Sequence, residues 1–207
     1  MKIKPILLAL AAICIAIELT LSAADMGLVG YPKWRLAAYS LGAFWTALLV
    51  GAKPLYGTQP WVMFISYAFL HGGVWHLAGN MMTLMLLGTP LVDRVGQARF
   101  LAIYVLSAVG GGIGFAMLSP SFQPMVGASG ALFGLAGAWL WLDWSDRRRL
   151  MRPLWPVWRA CIILVLLNAV LWALLGGLLA WQTHLGGFIA GWIGAATLAR
   201  FATRPKG

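Results

Sequence analysis

Six stretches of this chain, at about 5–24, 76–92, 99–118, 127–144, 159–178 and 183–200, are apolar over the length needed to cross a hydrocarbon layer. In such a layer every backbone N–H and C=O must be satisfied within the segment, so the stretches have to be helices. The expected fold is therefore an all-α polytopic membrane protein, one domain over 1–207 built as a six-helix bundle. Composition agrees: 61% of residues are hydrophobic and 10% charged, against about 25% charged in soluble domains. Twelve tryptophans suit the two membrane interfaces.

Between the first and second runs lies a long loop, 25–75, broken by Pro32, Pro54, Pro60 and several glycines. Its apolar piece Leu36–Val50 is 15 residues long, short for a span, and is expected to lie partly sunk in the membrane. A seventh span there is the alternative. At the start, Lys2, Lys4, the apolar run from Ile6 and Ser22-Ala23-Ala24 also have the pattern of a secretory leader, but retention keeps the even number of spans.

With six spans the basic residues separate by side. Twelve of the 15 (Lys2, Lys4, Arg94, Arg99, the cluster Arg147 to Arg159, and Arg200, Arg204 and Lys206) fall on one side, and Lys33, Arg35 and Lys53 on the other. Positive loops stay inside, so both termini are expected in the cytoplasm and the long first loop outside. The net charge of +10 is then an orientation signal, with some attraction to anionic lipid heads, and not a nucleic-acid patch. Cys14 and Cys161 both lie in apolar runs and are expected to pack there rather than pair.

Polar groups at membrane depth are costly, and mark function by default. Ser129 opens the fourth run, His184 the sixth, and His76 and Asn80 the second, with His71 just before them, all at the outer boundary. His76 and Asn80 are four apart and share a helix face. Gly187 and Gly191 follow His184 on one face; Gly130 and Gly134 follow Ser129. Two glycine faces can dock backbone to backbone and bring the Ser129 hydroxyl to the His184 imidazole. A serine is a weak nucleophile until a base takes its proton, and imidazole is the usual base. Phe133, one turn after Ser129, can stack on the histidine. The five acids are Glu18, Asp25, Asp93, Asp143 and Asp146. The last three lie across the membrane from His184, so a dyad is expected unless Glu18 supplies a third member. His76, Asn80 and backbone N–H groups near Ser129 are candidate donors to an oxyanion. His71 is expected to hold the loop.

Three motifs, "HGGVWHLAGN", "GASGALFGLAG" and "HLGGFIAG", in this order, resemble the rhomboid family of intramembrane serine proteases. The resemblance implies a six-helix core with Ser129 as nucleophile and His184 as base. It also implies an oxyanion site of His76, Asn80 and the Ser129 amide, in a loop containing Gly127. It departs at Phe133, where many members have tyrosine, and in the first loop, where Trp61 lacks a following arginine and the pair Trp34-Arg35 lies further upstream. The implied activity is cleavage of transmembrane protein substrates near the outer boundary, within the lipid bilayer. No cofactor, no metal and no nucleic acid are called for, and the oligomeric state is left open. The expected location is a bacterial inner membrane. A catalytically inactive relative that binds membrane partners, and a sorting variant that processes C-terminal anchors, are the alternatives. No H-E-x-x-H motif supports a zinc protease, and no facing acids an aspartyl one.

Overall fold

A computed structural model describes residues 4–119 and 123–198. Lys2, Arg200, Arg204, Lys206 and the last residues of the sixth expected span lie outside the described residues.

Six long helices form: α1 (Pro5–Asp25), α4 (Val74–Val95), α5 (Gln97–Leu118), α6 (Ser129–Arg149), α7 (Trp155–Leu174) and α8 (Trp181–Leu198). Two short ones, α2 (Trp34–Gly42) and α3 (Gln59–Ser66), lie in the first loop, with 3-10 turns at Thr46–Leu49 and Tyr67–Phe69. The protein is an all-helical integral membrane protein. α1, α5 and α7 are long and apolar enough to cross a membrane on length and composition alone. α4, α6 and α8 carry the polar residues of interest. The expected boundaries shift by up to five residues; Pro156 near the N-terminus of α7 starts that helix four residues early.

The Leu36–Val50 piece is not one helix. α2 covers nine residues, a rise of about 13 Å, and cannot span. It stops because Ala43 turns extended and Phe44 pairs with Met125, N–H to O at 2.9 Å and 3.0 Å in the two directions. The first loop is thereby stitched to the segment just before Ser129.

The centre of the bundle is α8 packed between α5 and α6. Backbones meet there because side chains are missing. A Cβ on Gly187 would collide with the Gly130 carbonyl, and one on Gly191 with the Gly134 carbonyl. On the other side of α8, a Cβ on Gly186 would strike the Gly110 carbonyl of α5. This is the small-residue docking that lipid favours, since apolar side chains gain little by leaving it. Around it, Leu84, Phe100, Ile103, Leu132 and Leu135 fill a buried core that also takes Leu7 and Leu10 of α1.

Charges collect at the ends. Lys4 pairs with Asp93, Arg94 with Asp146, and Arg147 with Asp143, all at the end of the bundle opposite Ser129. α6 separates the two levels by about 30 Å, 21 residues at 1.5 Å each.

Candidate active site

The loop before α6 is shaped by Gly127, whose φ of 129° lies in the region that favours glycine. Its N–H donates to the Tyr67 carbonyl at 3.0 Å, and the Tyr67 hydroxyl donates to the Ala108 carbonyl at 2.8 Å, tying the loop to α5. A Cβ at Gly127 would lie 2.8 Å from His76 Cε1 and 3.8 Å from Ser129 Oγ. Gly127 is therefore the floor between the two side chains, and only hydrogen fits there.

Ser129 is the first residue of α6, half-buried, where the leading N–H groups have no partner within the helix. Glycine docking of α6 on α8 brings it to His184, whose Nε2 lies 2.8 Å from Ser129 Oγ. His184 is 4% exposed. Phe133 lies flat on its ring, centroids 4.1 Å apart and planes 5° from parallel. The other ring nitrogen, Nδ1, lies 2.6 Å from Asn168 Oδ1 on α7.

Of the expected oxyanion residues, His76 faces Ser129 across Gly127. His76 is exposed, on the first turn of α4. Its Nδ1 accepts the Gly72 N–H at 3.2 Å, so in the neutral ring the proton sits on Nε2, the atom that faces Gly127. Asn80 is buried, and one of its two amide N–H bonds goes to the His76 carbonyl at 2.9 Å. The Asn80 side chain is thus coupled to the backbone of His76.

Glu18 does not complete a triad. It is fully buried on α1 and accepts from Arg35 of α2, Nη1 to Oε2 at 3.0 Å and Nη2 to Oε1 at 2.8 Å. The Ser22 hydroxyl adds a third bond at 2.9 Å. Hydrogen bonding to the Glu18 carboxylate holds the Arg35 guanidinium above its ordinary pKa, so it stays charged. Arg35 Nη1 also donates to the His71 carbonyl at 3.0 Å, and the Tyr39 hydroxyl donates to the same oxygen at 2.6 Å. His71 is fully buried, its ring edge-on to His76 with centroids 5.3 Å apart, and burial pushes its imidazole down to about 4. The loop-holding role expected of His71 falls to its backbone oxygen.

Asn168 was not legible as a site residue from motifs. The available signal was its isolation: it is the only strongly polar side chain between Ala160 and Leu178.

A helical membrane bundle with a half-buried serine against a buried histidine at one end is the class that fold and geometry define. Residues 58–201 match the Rhomboid domain, and the chain belongs to the rhomboid family. It is 32% identical over 155 residues to the rhomboid protease GluP of Bacillus subtilis, covering 74% of this chain and 29% of the relative. It is 34% identical over 140 residues to rhomboid protein 1, mitochondrial, of Saccharomyces cerevisiae, covering 63% and 40%. RHOMBOID-like protein 5 of Arabidopsis thaliana is 36% identical over 137 residues, covering 61% and 40%. The chain spans less than half the length of these three relatives.

Proposed function

We propose that the chain is an intramembrane serine endopeptidase that cuts a peptide bond in or near a partner's transmembrane helix, close to the outer boundary. The observation that carries this reading is the 2.8 Å approach of His184 Nε2 to Ser129 Oγ where α6 docks on α8. A stacked Phe133 fixes the ring plane, and a base must be held in line with the proton it removes.

Ser129 Oγ attacks the scissile carbonyl carbon as its proton passes to His184 Nε2. The carbonyl oxygen becomes an oxyanion, received by the Ser129 amide, by His76 Nε2–H across the Gly127 floor, and by the second Asn80 N–H. The C–N bond then breaks and the amine leaves with the proton from His184. Water, activated by the same imidazole, hydrolyses the acyl-serine and restores the hydroxyl. Each oxyanion donor contributes about 3–4 kcal/mol of transition-state stabilisation.

The chain forms a single domain over 1–207 with six crossings. The starts of α4, α6 and α8 face outward, and the basic end faces the cytoplasm of a bacterial inner membrane. Its substrates are single-pass or other transmembrane proteins. Their helices must unwind locally to expose a carbonyl, which favours segments rich in small, helix-weak residues. The test is incubation of the purified chain, in lipid vesicles, with a panel of single-span proteins. Cleavage by the parent and none by Ser129→Ala is expected. Equal cleavage by both removes Ser129 as nucleophile, and none by the parent across the panel favours a non-catalytic, partner-binding role.

A further inference from the structure

The hydrogen bond on the far side of the His184 ring comes from the least buried of the six long helices. Among the described residues of α7 only Val157 is buried. Between α7 and the α6–α8 pair lies a cavity of about 460 Å³, walled by Phe133, Leu164, Trp172, Trp181 and Phe188. Among the described residues, its only strongly polar lining groups are Asn168 and His184. Across that apolar space the two side chains meet at 2.6 Å.

The direction of this bond is fixed by its neighbours. The Asn168 amide nitrogen donates to the Leu164 carbonyl at 3.3 Å, which leaves its oxygen toward the imidazole. A carboxamide oxygen only accepts, so Nδ1 must carry a proton. Nε2 of the neutral ring is then unprotonated and free to take the Ser129 hydroxyl proton. With the other tautomer, Nε2–H would point at Ser129 and no base would be present. Phe133 fixes the plane of the ring but cannot choose between its two nitrogens.

We propose that Asn168 is a positioning residue for His184, selecting the Nδ1–H tautomer, and that His184 is set as a base only while α7 is seated against the bundle. This rests on the reading of Ser129 and His184 as nucleophile and base. Asn168 takes up no proton during turnover; it holds the Nδ1 proton in place as Nε2 gains and loses one.

The test uses the full chain with ¹⁵N-labelled histidine, read by NMR for the His184 tautomer, and a fluorophosphonate probe, read for its labelling rate. The parent and Ser129→Ala should both show the Nδ1–H tautomer. Asn168→Ala and the similarly sized Asn168→Leu should show a mixture and label about 10- to 100-fold more slowly, the span expected for a lost hydrogen bond to an ionising group. Asn168→Asp, which keeps an acceptor, should restore the tautomer and label faster than either. A packing role would rank leucine above aspartate. An unchanged tautomer in Asn168→Ala, or parental labelling by Asn168→Leu, overturns the proposal. Because the tautomer is also read in Ser129→Ala, persistent labelling of that variant would refute the nucleophile and leave the Asn168 bond separately judged. For the helix, Val157→Ala should slow labelling in the parent but not further in Asn168→Ala. Equal effects in the two backgrounds, including none, overturn the dependence on α7.

Discussion

Among the described residues, Arg35 and Glu18 form the one ion pair in which a carboxylate has no exposure at all, and it joins the first loop to α1. The same guanidinium reaches Asp25 at 2.6 Å and the His71 carbonyl at 3.0 Å. The chain leading into His76 is thereby held by a charge whose partner sits inside the bundle.

Removing one member of such a pair leaves the other buried and uncompensated, at a cost of about 3–5 kcal/mol. Arg35→Ala and Glu18→Ala should each lower thermal stability, measured by scanning fluorimetry in detergent. The double variant should lose much less than the sum of the two. Strictly additive losses would mean that the pair does not act as a unit. Arg35→Ala should also slow labelling of Ser129, because the His71 carbonyl loses one of its two donors.

Glycines on α8 should divide sharply. Gly191→Ala drives a methyl into the Gly134 carbonyl, and Gly187→Ala does the same at Gly130. Both should unfold the bundle or abolish activity. Gly194→Ala meets only Leu106 Cδ1 at 3.5 Å and Ile103 at 3.7 Å, ordinary contact, so it should be neutral or stabilising by up to about 1 kcal/mol. Melting temperatures of the three variants decide it, and a loss at Gly194 equal to that at Gly191 would remove the close approach as the cause.

This docking is the part of the fold most legible beforehand. The recurrences Gly130–Gly134 and Gly187–Gly191 identify two faces with one use in lipid, and the placement of Ser129 beside His184 follows from them. The first loop was less legible. Its helices are short, and α2 ends where Phe44 pairs with Met125, some 80 residues away, a contact no local periodicity encodes. The Arg35–Glu18 pair was hidden for the same reason: Arg35 reads as a loop charge until α2 is folded back on α1. Asn168 is not legible in this way, because a lone amide in an apolar span carries no motif, and which ring nitrogen it serves depends on the seating of α7.

Acid should weaken the loop around His71. Its imidazole is held down to about 4 by burial, with the charge of His76 adding to it, whereas the unfolded chain takes up a proton near 6.5. A group depressed in the folded state contributes stability above its unfolded pKa that is lost as pH falls toward the folded one. Stability should therefore decline between pH 6.5 and about 4, by roughly 3 kcal/mol from this residue. His71→Gln, which does not titrate, should flatten the decline in that window. An unchanged slope would exclude His71 as its source.

Orientation follows from the basic end of the bundle, where Lys4, Arg94 and Arg147 meet Asp93, Asp146 and Asp143. A reporter active only in the cytoplasm and fused after residue 207 should be active. A reporter inserted near Lys53 should be active only in its exported form. The reverse pattern would turn the site toward the cytoplasm and contradict the orientation assigned from the basic residues.

The most direct measurement is the rate at which a fluorophosphonate labels the purified chain and four variants, Ser129→Ala, His184→Ala, His76→Ala and Asn80→Ala, each checked for folding. Ser129→Ala and His184→Ala should give no labelling, the first for want of a nucleophile and the second for want of a base. His76→Ala and Asn80→Ala should label about 10²–10³-fold more slowly but measurably, as expected for loss of one oxyanion donor. Parental labelling by a folded Ser129→Ala or His184→Ala would contradict the serine-histidine pair, and with it the proposed protease.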